Sequence, residues 1–140
     1  MPIADSWRRR SSVRTLTRRS RSGAYDAYLI SDAWRDRRKA WYAAWFTRCG
    51  TPPACMVCSR EWSPRSGHLH HLTYERLGDE NDDDLVPLCP RDHRQLHRVL
   101  EASAGWRRLG RRHASASIIS LLRHDYLATR AGGELGKGGS

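Results

Sequence analysis

The chain has 140 residues, enough for one compact domain with tails, and its hydrophobic content of 39% predicts a small core. Its 25 Lys and Arg residues outnumber 15 Asp and Glu residues. The resulting formal net charge of +10 favours a polyanionic partner, nucleic acid ahead of an anionic membrane surface. No apolar run approaches the roughly 20 residues that cross a bilayer, and the first residues lack the apolar segment of a signal peptide. We therefore expect an intracellular, cytoplasmic protein without a membrane partner.

Residues 1–23 are predicted to form a disordered basic arm. Serine and threonine fill the gaps between its arginines, and its apolar residues are too few to offset the entropy lost on ordering. Such an arm can follow a DNA backbone, because each guanidinium that meets a phosphate releases counterions. The arginines assigned to DNA binding are Arg8, Arg9, Arg10, Arg14, Arg18, Arg19 and Arg21 in the arm and, further along the chain, Arg76, Arg107 and Arg108.

A helix is predicted from Ala33 to Arg48, preceded by Ser31 as a candidate N-cap. Trp34, Trp41 and Trp45 fall on one stripe of this helix. We interpret the stripe as core rather than as a surface that stacks on bases, because aromatic residues at helical spacing usually pack inward.

Potential metal ligands are concentrated between residues 55 and 97, which contain three of the 4 cysteines and five of the 7 histidines. Thiolates and imidazoles are soft and borderline metal ligands. In a reducing compartment, Cys55 and Cys58 in Cys-x-x-Cys spacing indicate metal binding rather than a disulfide. A thioredoxin-type redox pair is the alternative, but the flanking βαβ pattern that it needs is missing from the sequence.

A short strand is predicted over residues 67–72, where the sequence alternates. The neighbours His70 and His71 then face opposite sides, so one can coordinate an ion while the other reaches a different reactant. The acidic stretch over residues 73–84 is interpreted as a solvated loop, because it lacks the ligand alternation of a calcium loop. Residues 85–88 are short and apolar and can form a second strand.

Two further histidines, His93 and His97, lie on a helix predicted from Pro90 to Ala104, with Gly105 as its end. Positions i and i+4 point both rings to the same side, one turn apart, which suits a shared cation.

The C-terminal part of the chain is predicted to contain a short helix around residues 118–127, capped by Ser115 or Ser117. Residues 131–140 are glycine-rich and are predicted to form a flexible tail.

These motifs together resemble the HNH endonuclease family in its zinc-containing, phage-type branch. The likeness covers about residues 25–100 and rests on His-His on a strand, Asp-Leu opening a second strand and His-x-x-x-His on the next helix. It implies an α+β fold with a small ββα-metal (His-Me finger) core, a preceding helix, a C-terminal helix and flexible basic tails. The implied nuclease domain is residues 24–130, with its core at residues 55–100.

The resemblance implies two metal sites. His71 corresponds to the general base of the family, and Asp84 stands where the family has its central Asn, a change that removes a hydrogen-bond donor. The residues assigned to the catalytic reaction are His71, Asp84 and His93. One catalytic divalent cation, Mg2+, Mn2+, Ni2+ or Zn2+, is assigned to His70, His93 and His97. One structural Zn2+ is assigned to Cys55, Cys58, Cys89 and Asp92, with Cys49 as an alternative to Asp92.

The predicted function is metal-dependent hydrolysis of DNA phosphodiester bonds, since a neutral imidazole can accept a proton from water near physiological pH. Two sites are expected because the ligands outnumber the four that one tetrahedral ion takes. The alternative is a non-catalytic, zinc-stabilised DNA-binding module or an accessory protein of phage packaging, with a terminase or another packaging protein as partner. Strand choice, target sequence and oligomeric state stay open, because phosphate contacts carry no sequence information.

Overall fold

The computed structural model describes residues 23–135, so the seven arm arginines named above lie outside the described residues. The chain divides between Arg37 and Arg38 into two units, each described by itself. In the first unit, residues 23–29 are helical and helix α1 (Asp32–Cys49) begins. Ser31 caps this helix as predicted, because its hydroxyl accepts a hydrogen bond from the backbone nitrogen of Trp34 at 3.2 Å.

The second unit is built on a two-stranded antiparallel sheet of β1 (His68–His71) and β2 (Leu85–Leu88). His68 pairs with Leu88, and His71 pairs with Leu85. Pro87 is tolerated in β2 because both strands of such a sheet are edges. The carbonyl of Pro87 accepts a hydrogen bond from the backbone of Met56 at 3.0 Å, which attaches the first cysteine turn to the sheet.

Helix α2 (Pro90–Ala102) follows β2 directly, with Cys89 as its N-cap and proline in its first turn. The helix is shorter than predicted because Ser103 is extended, with φ −129° and ψ 122°. Gly105 is therefore not a helix end: it lies inside a short helix α3 (Ala104–Arg108).

Helix α4 (Arg111–Leu135) is longer than the sequence indicated, with 25 residues. It begins directly after Gly110, whose φ of +83° is a left-handed conformation that glycine adopts without strain. Ser115 and Ser117 consequently lie within the helix rather than at its cap. At the other end, residues 131–135 continue the helix into the stretch that was predicted to be a flexible tail.

The main core of the second unit lies between the sheet, the cysteine turn and the facing sides of α2 and α4. Leu96 and Leu100 come from α2 at a spacing of one turn, and Ala114 and Ile118 come from α4 at the same spacing. The same core also contains Cys55, Val57, Cys58, Leu88, Cys89 and Ile119. Among residues 23–135, no helix has the length and apolar content required to span a bilayer.

A second packed cluster is aromatic. Trp41 is buried, as the stripe predicted, and its ring contacts Trp62 edge to face with centroids 5.3 Å apart. The indole nitrogens of both residues donate to backbone carbonyls, Trp62 to His68 at 2.8 Å and Trp41 to Asp82 at 3.1 Å. These bonds hold the start of β1 and the acidic loop against the same aromatic cluster.

We expect Gly67→Ala to destabilise the protein, because a Cβ at Gly67 would lie 2.1 Å from Nε1 of Trp62. Trp62 is only 1% exposed and its Nε1 donates to the carbonyl of His68, so a shift of the ring would break this bond and the cost should be about 1–3 kcal/mol. Urea unfolding of the metal-loaded protein measures it. The control is Gly132→Ala in α4, where no atom lies within 4 Å of the added Cβ and a small gain is expected. Equal unfolding midpoints for the two variants would contradict the expected overlap with Trp62.

Candidate metal centres and their surroundings

Three cysteines and one aspartate form the first candidate centre. The ligand atoms of Cys55, Cys58, Cys89 and Asp92 lie within 4.8 Å of one another, and all four residues are buried. The two sulfurs of Cys58 and Cys89 are 3.9 Å apart, and Oδ2 of Asp92 lies 3.1 Å from the sulfur of Cys89. These groups are positioned to bind a metal ion, as the sequence predicted.

The backbone explains why these ligands meet. Cys55 and Cys58 lie in a tight turn that is closed by a hydrogen bond from the nitrogen of Ser59 to the carbonyl of Cys55 at 2.9 Å. Cys89 and Asp92 lie at the N-cap and in the first turn of α2, where the nitrogen of Asp92 faces the sulfur of Cys89 at 3.5 Å. The turn and the start of the helix therefore contribute two ligands each.

The ionisation of this centre differs between its thiols and its carboxylate. Burial raises the pKa of the Cys55 thiol to about 12 and also raises the pKa of Cys89. Burial acts to raise the pKa of Asp92 as well, but hydrogen bonds from Cys89, Arg91 and the other thiols outweigh it, and the pKa is lowered. A cation must therefore displace protons from the thiols, so its affinity rises with pH.

Cys49 does not belong to this centre. It is the last residue of α1 and is exposed, whereas Asp92 completes the buried group with the three other cysteines. The alternative in which Cys49 replaces Asp92 is therefore not the arrangement found.

We expect Asp92→Asn to weaken metal retention at this centre by more than roughly tenfold, about 1.4 kcal/mol, because a neutral amide is a poorer ligand than a carboxylate. Competition with a chelator, followed by elemental analysis, measures the retention. The matched control, Cys49→Ser, should retain metal as the unmodified protein does. A loss of metal in the Cys49 variant would show that the ligand set is different.

Three imidazoles form the second candidate centre. His70 projects from β1, while His93 and His97 project from adjacent turns of α2, and one ring nitrogen of each lies within 4.8 Å of the others. The Nε2 atoms of His93 and His97 are 3.1 Å apart. The centroid of the His70 ring is 5.5 Å from that of His93 and 5.1 Å from that of His97. The structure thus brings together the three histidines that the resemblance assigned to the cation.

The hydrogen bonding of His70 tests whether these residues fit a cation. Nε2 of His70 lies 2.9 Å from the hydroxyl of Ser115, whereas its Nδ1 is buried and has no hydrogen-bond partner among the described residues. Such an unsatisfied buried nitrogen costs about 1–3 kcal/mol. If a proton bridged His93 and His97, Nδ1 of His70 would still lack a partner. A cation bound by all three rings would give this nitrogen a partner.

The charge state of the rings also fits a cation. Burial, with the nearby charge of Arg111, lowers the pKa of His70 to about 2, and burial with the neighbouring His97 lowers the pKa of His93 to about 3. Burial lowers the pKa of His97 in the same way. The rings are therefore neutral at physiological pH, and the neutral imidazole is the form that binds a metal.

Two residues outside the predicted set orient these rings. Ser115 faces His70, and Nδ1 of His68 lies 2.9 Å from Nδ1 of His93. Ser115 was interpreted as a helix cap because Gly110 was not recognised as the start of α4. Its spacing from the apolar pair Ile118 and Ile119, one turn further on, is the signal that it faces the core.

We expect Ser115→Ala to lower the affinity of the three-histidine centre for a divalent cation by about 10–100-fold, because loss of the hydroxyl frees the orientation of His70. Calorimetric titration with Ni2+, after the cysteine centre has been filled with Zn2+, measures the affinity. Ser117→Ala on the same helix is the control and should bind Ni2+ unchanged. If both variants matched the unmodified protein, Ser115 would only fill space.

His71 lies on the opposite face of β1 and has different partners. Its Nε2 is 2.9 Å from Oε1 of Glu80, and both side chains are only 1% exposed. Burial lowers the pKa of His71, although the hydrogen bond with Glu80 acts in the other direction. The acidic stretch is therefore not simply a solvated loop, because it buries Glu80 against this ring. The charge pattern contains no signal that separates Glu80 from Asp79 or Asp82.

Asp84 is fully buried and ties the acidic loop in place as a hydrogen-bond acceptor. Its carboxylate accepts two bonds from Arg76, at 2.6 and 2.7 Å, and one from Arg112 at 2.6 Å. The bonds from Arg76 lower the pKa of Asp84 to about 2, so the carboxylate is ionised at physiological pH. Arg76, which was assigned to DNA, thus engages Asp84 with two of its nitrogens, and Arg112 is a partner that the sequence did not indicate.

Arg107 and Arg108 are exposed on α3, where a polyanion can reach them.

Comparisons with known proteins find no match to this chain, whether with family models, with curated proteins or with solved structures. The two candidate metal centres and the buried pair of His71 and Glu80 are therefore interpreted from their own geometry.

Proposed function

We propose that this protein is a metal-dependent DNA endonuclease of the HNH type, built on a ββα-metal finger. The observation that carries the proposal is the divergence of two adjacent histidines on β1. His70 enters a group of three imidazoles, and His71 enters a buried pair with Glu80. A phosphodiesterase that uses one cation and one general base needs these two environments side by side.

In this proposal the cysteine centre holds a structural Zn2+. Three thiolates and a carboxylate are typical zinc ligands, and two sulfurs on a tetrahedral zinc with bonds of about 2.3 Å are separated by about 3.8 Å. The distance of 3.9 Å between the sulfurs of Cys58 and Cys89 agrees with that value. All four ligands are buried, as in a closed structural site. Reduced thiolates also favour an intracellular, cytoplasmic setting.

The three-histidine centre is proposed to hold the catalytic divalent cation. Three protein ligands leave coordination positions open, and imidazoles favour transition metals such as Ni2+ or Zn2+ over Mg2+, which prefers oxygen. Nitrogens bound to one such ion lie about 3.0–3.4 Å apart, which agrees with 3.1 Å between Nε2 of His93 and of His97. When bound, the cation supplies Lewis-acid stabilisation of the charge on the phosphate and the departing oxygen.

His71 is proposed to act as the general base that accepts a proton from the attacking water. Glu80 accepts a hydrogen bond from Nε2 of His71, which fixes the proton on that nitrogen and leaves Nδ1 as the basic one. Once His71 has accepted a proton, the buried carboxylate of Glu80 stabilises the imidazolium. Glu80 is therefore proposed as a positioning residue for the base.

DNA is the proposed partner because the chain has a formal net charge of +10 and exposes Arg107 and Arg108, of which Arg107 lines the same cavity as His97. The arm arginines add to that charge in the sequence. Asp84 is proposed to support the site by restraining the acidic loop, from which Glu80 reaches His71.

We expect His71→Ala to lower DNA cleavage by about 10²–10⁴-fold while both centres keep their metal, because the change removes only the proton acceptor. Nicking of supercoiled plasmid in Mg2+, Mn2+, Ni2+ and Zn2+ measures cleavage, and elemental analysis measures the metal. His124→Ala is the control, since His124 is exposed on α4.

Unchanged cleavage by the His71 variant would refute the proposed base. An unmodified protein that binds plasmid but never nicks it, in any of the four metals, would instead identify a non-catalytic DNA-binding module.

A further inference from the structure

An open cleft of about 710 Å³ adjoins β1, between the segment that follows His71 and the start of α4. Its size falls within the range of sites that bind small organic ligands. Tyr74 and Arg76 line one side, and Arg111 and Arg112 line the other. Neither proposed metal centre contributes a ligand to its lining, so the cleft is separate from both.

Arg111 links this cleft to the proposed active site. Its guanidinium lies over the ring of Tyr74, 4.1 Å from the centroid, and its Nε donates to the carbonyl of His71 at 2.8 Å. Arg111 also lines a second cavity of about 190 Å³ that His97 borders. Arg111 is therefore shared by the cleft that Tyr74 lines and by the cavity that His97 borders.

The charge of the cleft favours an anion. Arg76 and Arg112 share the carboxylate of Asp84, and Arg76 also lies 3.7 Å from the carboxylate of Glu75. Arg111 adds a third guanidinium, so three arginines outnumber these two carboxylates. The side chains of Arg76 and Arg112 are 38% and 49% exposed. A guanidinium has five N–H donors, and the bonds to Asp84 use only part of them.

The cleft also offers an aromatic surface. Tyr74 is 41% exposed although Arg111 covers part of its ring. Bases stack on such rings with little regard to their identity, and arginine adds a cation–π contribution. A phosphate alone would use the arginines and not the ring, whereas a nucleotide would use both.

We propose that this cleft is a subsite for one nucleotide next to the scissile phosphate, with its phosphate on Arg111 and its base on Tyr74. The inference rests on the proposed nuclease function and adds a substrate class to it. A base that reaches Tyr74 has left its own stack, and this costs least where the DNA is already unpaired. The preferred substrate is therefore DNA with a single-stranded stretch at the cleavage site.

The test measures, by calorimetry and by NMR, the binding of thymidine 3′,5′-bisphosphate to the zinc-loaded full chain without other divalent cations. Tyr74→Leu should weaken binding about tenfold, because the stacking surface is lost, whereas Tyr74→Phe keeps the ring and should bind unchanged. Inorganic phosphate should bind more weakly than the nucleotide and should not distinguish the Tyr74 variants. Arg111→Gln should weaken both ligands, and Arg48→Gln, an exposed arginine of α1 outside the cleft, should weaken neither.

Equal affinities of the unmodified protein and Tyr74→Leu for the nucleotide would overturn the proposal, as would phosphate binding as tightly as the nucleotide. Thermal unfolding shows whether each variant is folded. If loss of the Arg111 bond to His71 disturbs the fold of Arg111→Gln, the comparison of Tyr74→Leu with Tyr74→Phe still tests the proposal, because Tyr74 is exposed.

The two proposals fail separately. Plasmid nicking without nucleotide binding in the cleft would leave the nuclease and remove the subsite. Nucleotide binding with the expected Tyr74 pattern, in a protein that never nicks DNA, would leave the subsite and remove the nuclease.

Discussion

The cluster of Cys55, Cys58, Cys89 and Asp92 is the constraint on which the rest of the site depends. It joins a turn, the end of β2 and the first turn of α2, and these elements otherwise share only a small core. His93 follows Asp92 directly in α2, and its nitrogen donates to the carbonyl of Cys89 at 2.9 Å. This cluster sets the direction in which α2 leaves the hairpin, and hence where His93 and His97 project. Small domains often use a bound metal in this way to supplement a limited core.

The hairpin separates the surroundings of His70 from those of His71, because successive side chains of a strand face opposite sides. His70 therefore meets α2 and Ser115, while His71 meets Glu80 from the acidic loop. Both rings are buried and have lowered pKa values, so both are neutral at physiological pH. A neutral ring serves equally as a metal ligand and as a proton acceptor, and the partners of its second nitrogen decide between the two roles.

Sequence patterns predicted the parts of this arrangement that local spacing controls. Local spacing places some ligands almost without tertiary context. This holds for the interval between His93 and His97 and for the interval between Cys55 and Cys58. Ser115 was missed because the phase of α4 is set by the left-handed Gly110, which a helix pattern does not reveal. Glu80 was missed because loop conformation, not charge, selects which of several neighbouring acids turns inward. Long-range partners of this kind depend on how elements pack, and one sequence carries little information about that.

The same packing explains how an acidic loop persists in a protein with a formal net charge of +10. Asp84 is enclosed by Arg76 and Arg112, so its charge is compensated at close range. A carboxylate that is buried and paired contributes little to the field outside the protein, because its partners cancel it within a few ångströms. The Asp84 carboxylate can therefore order the loop without repelling a polyanion, whereas Arg107 and Arg108 are exposed on α3.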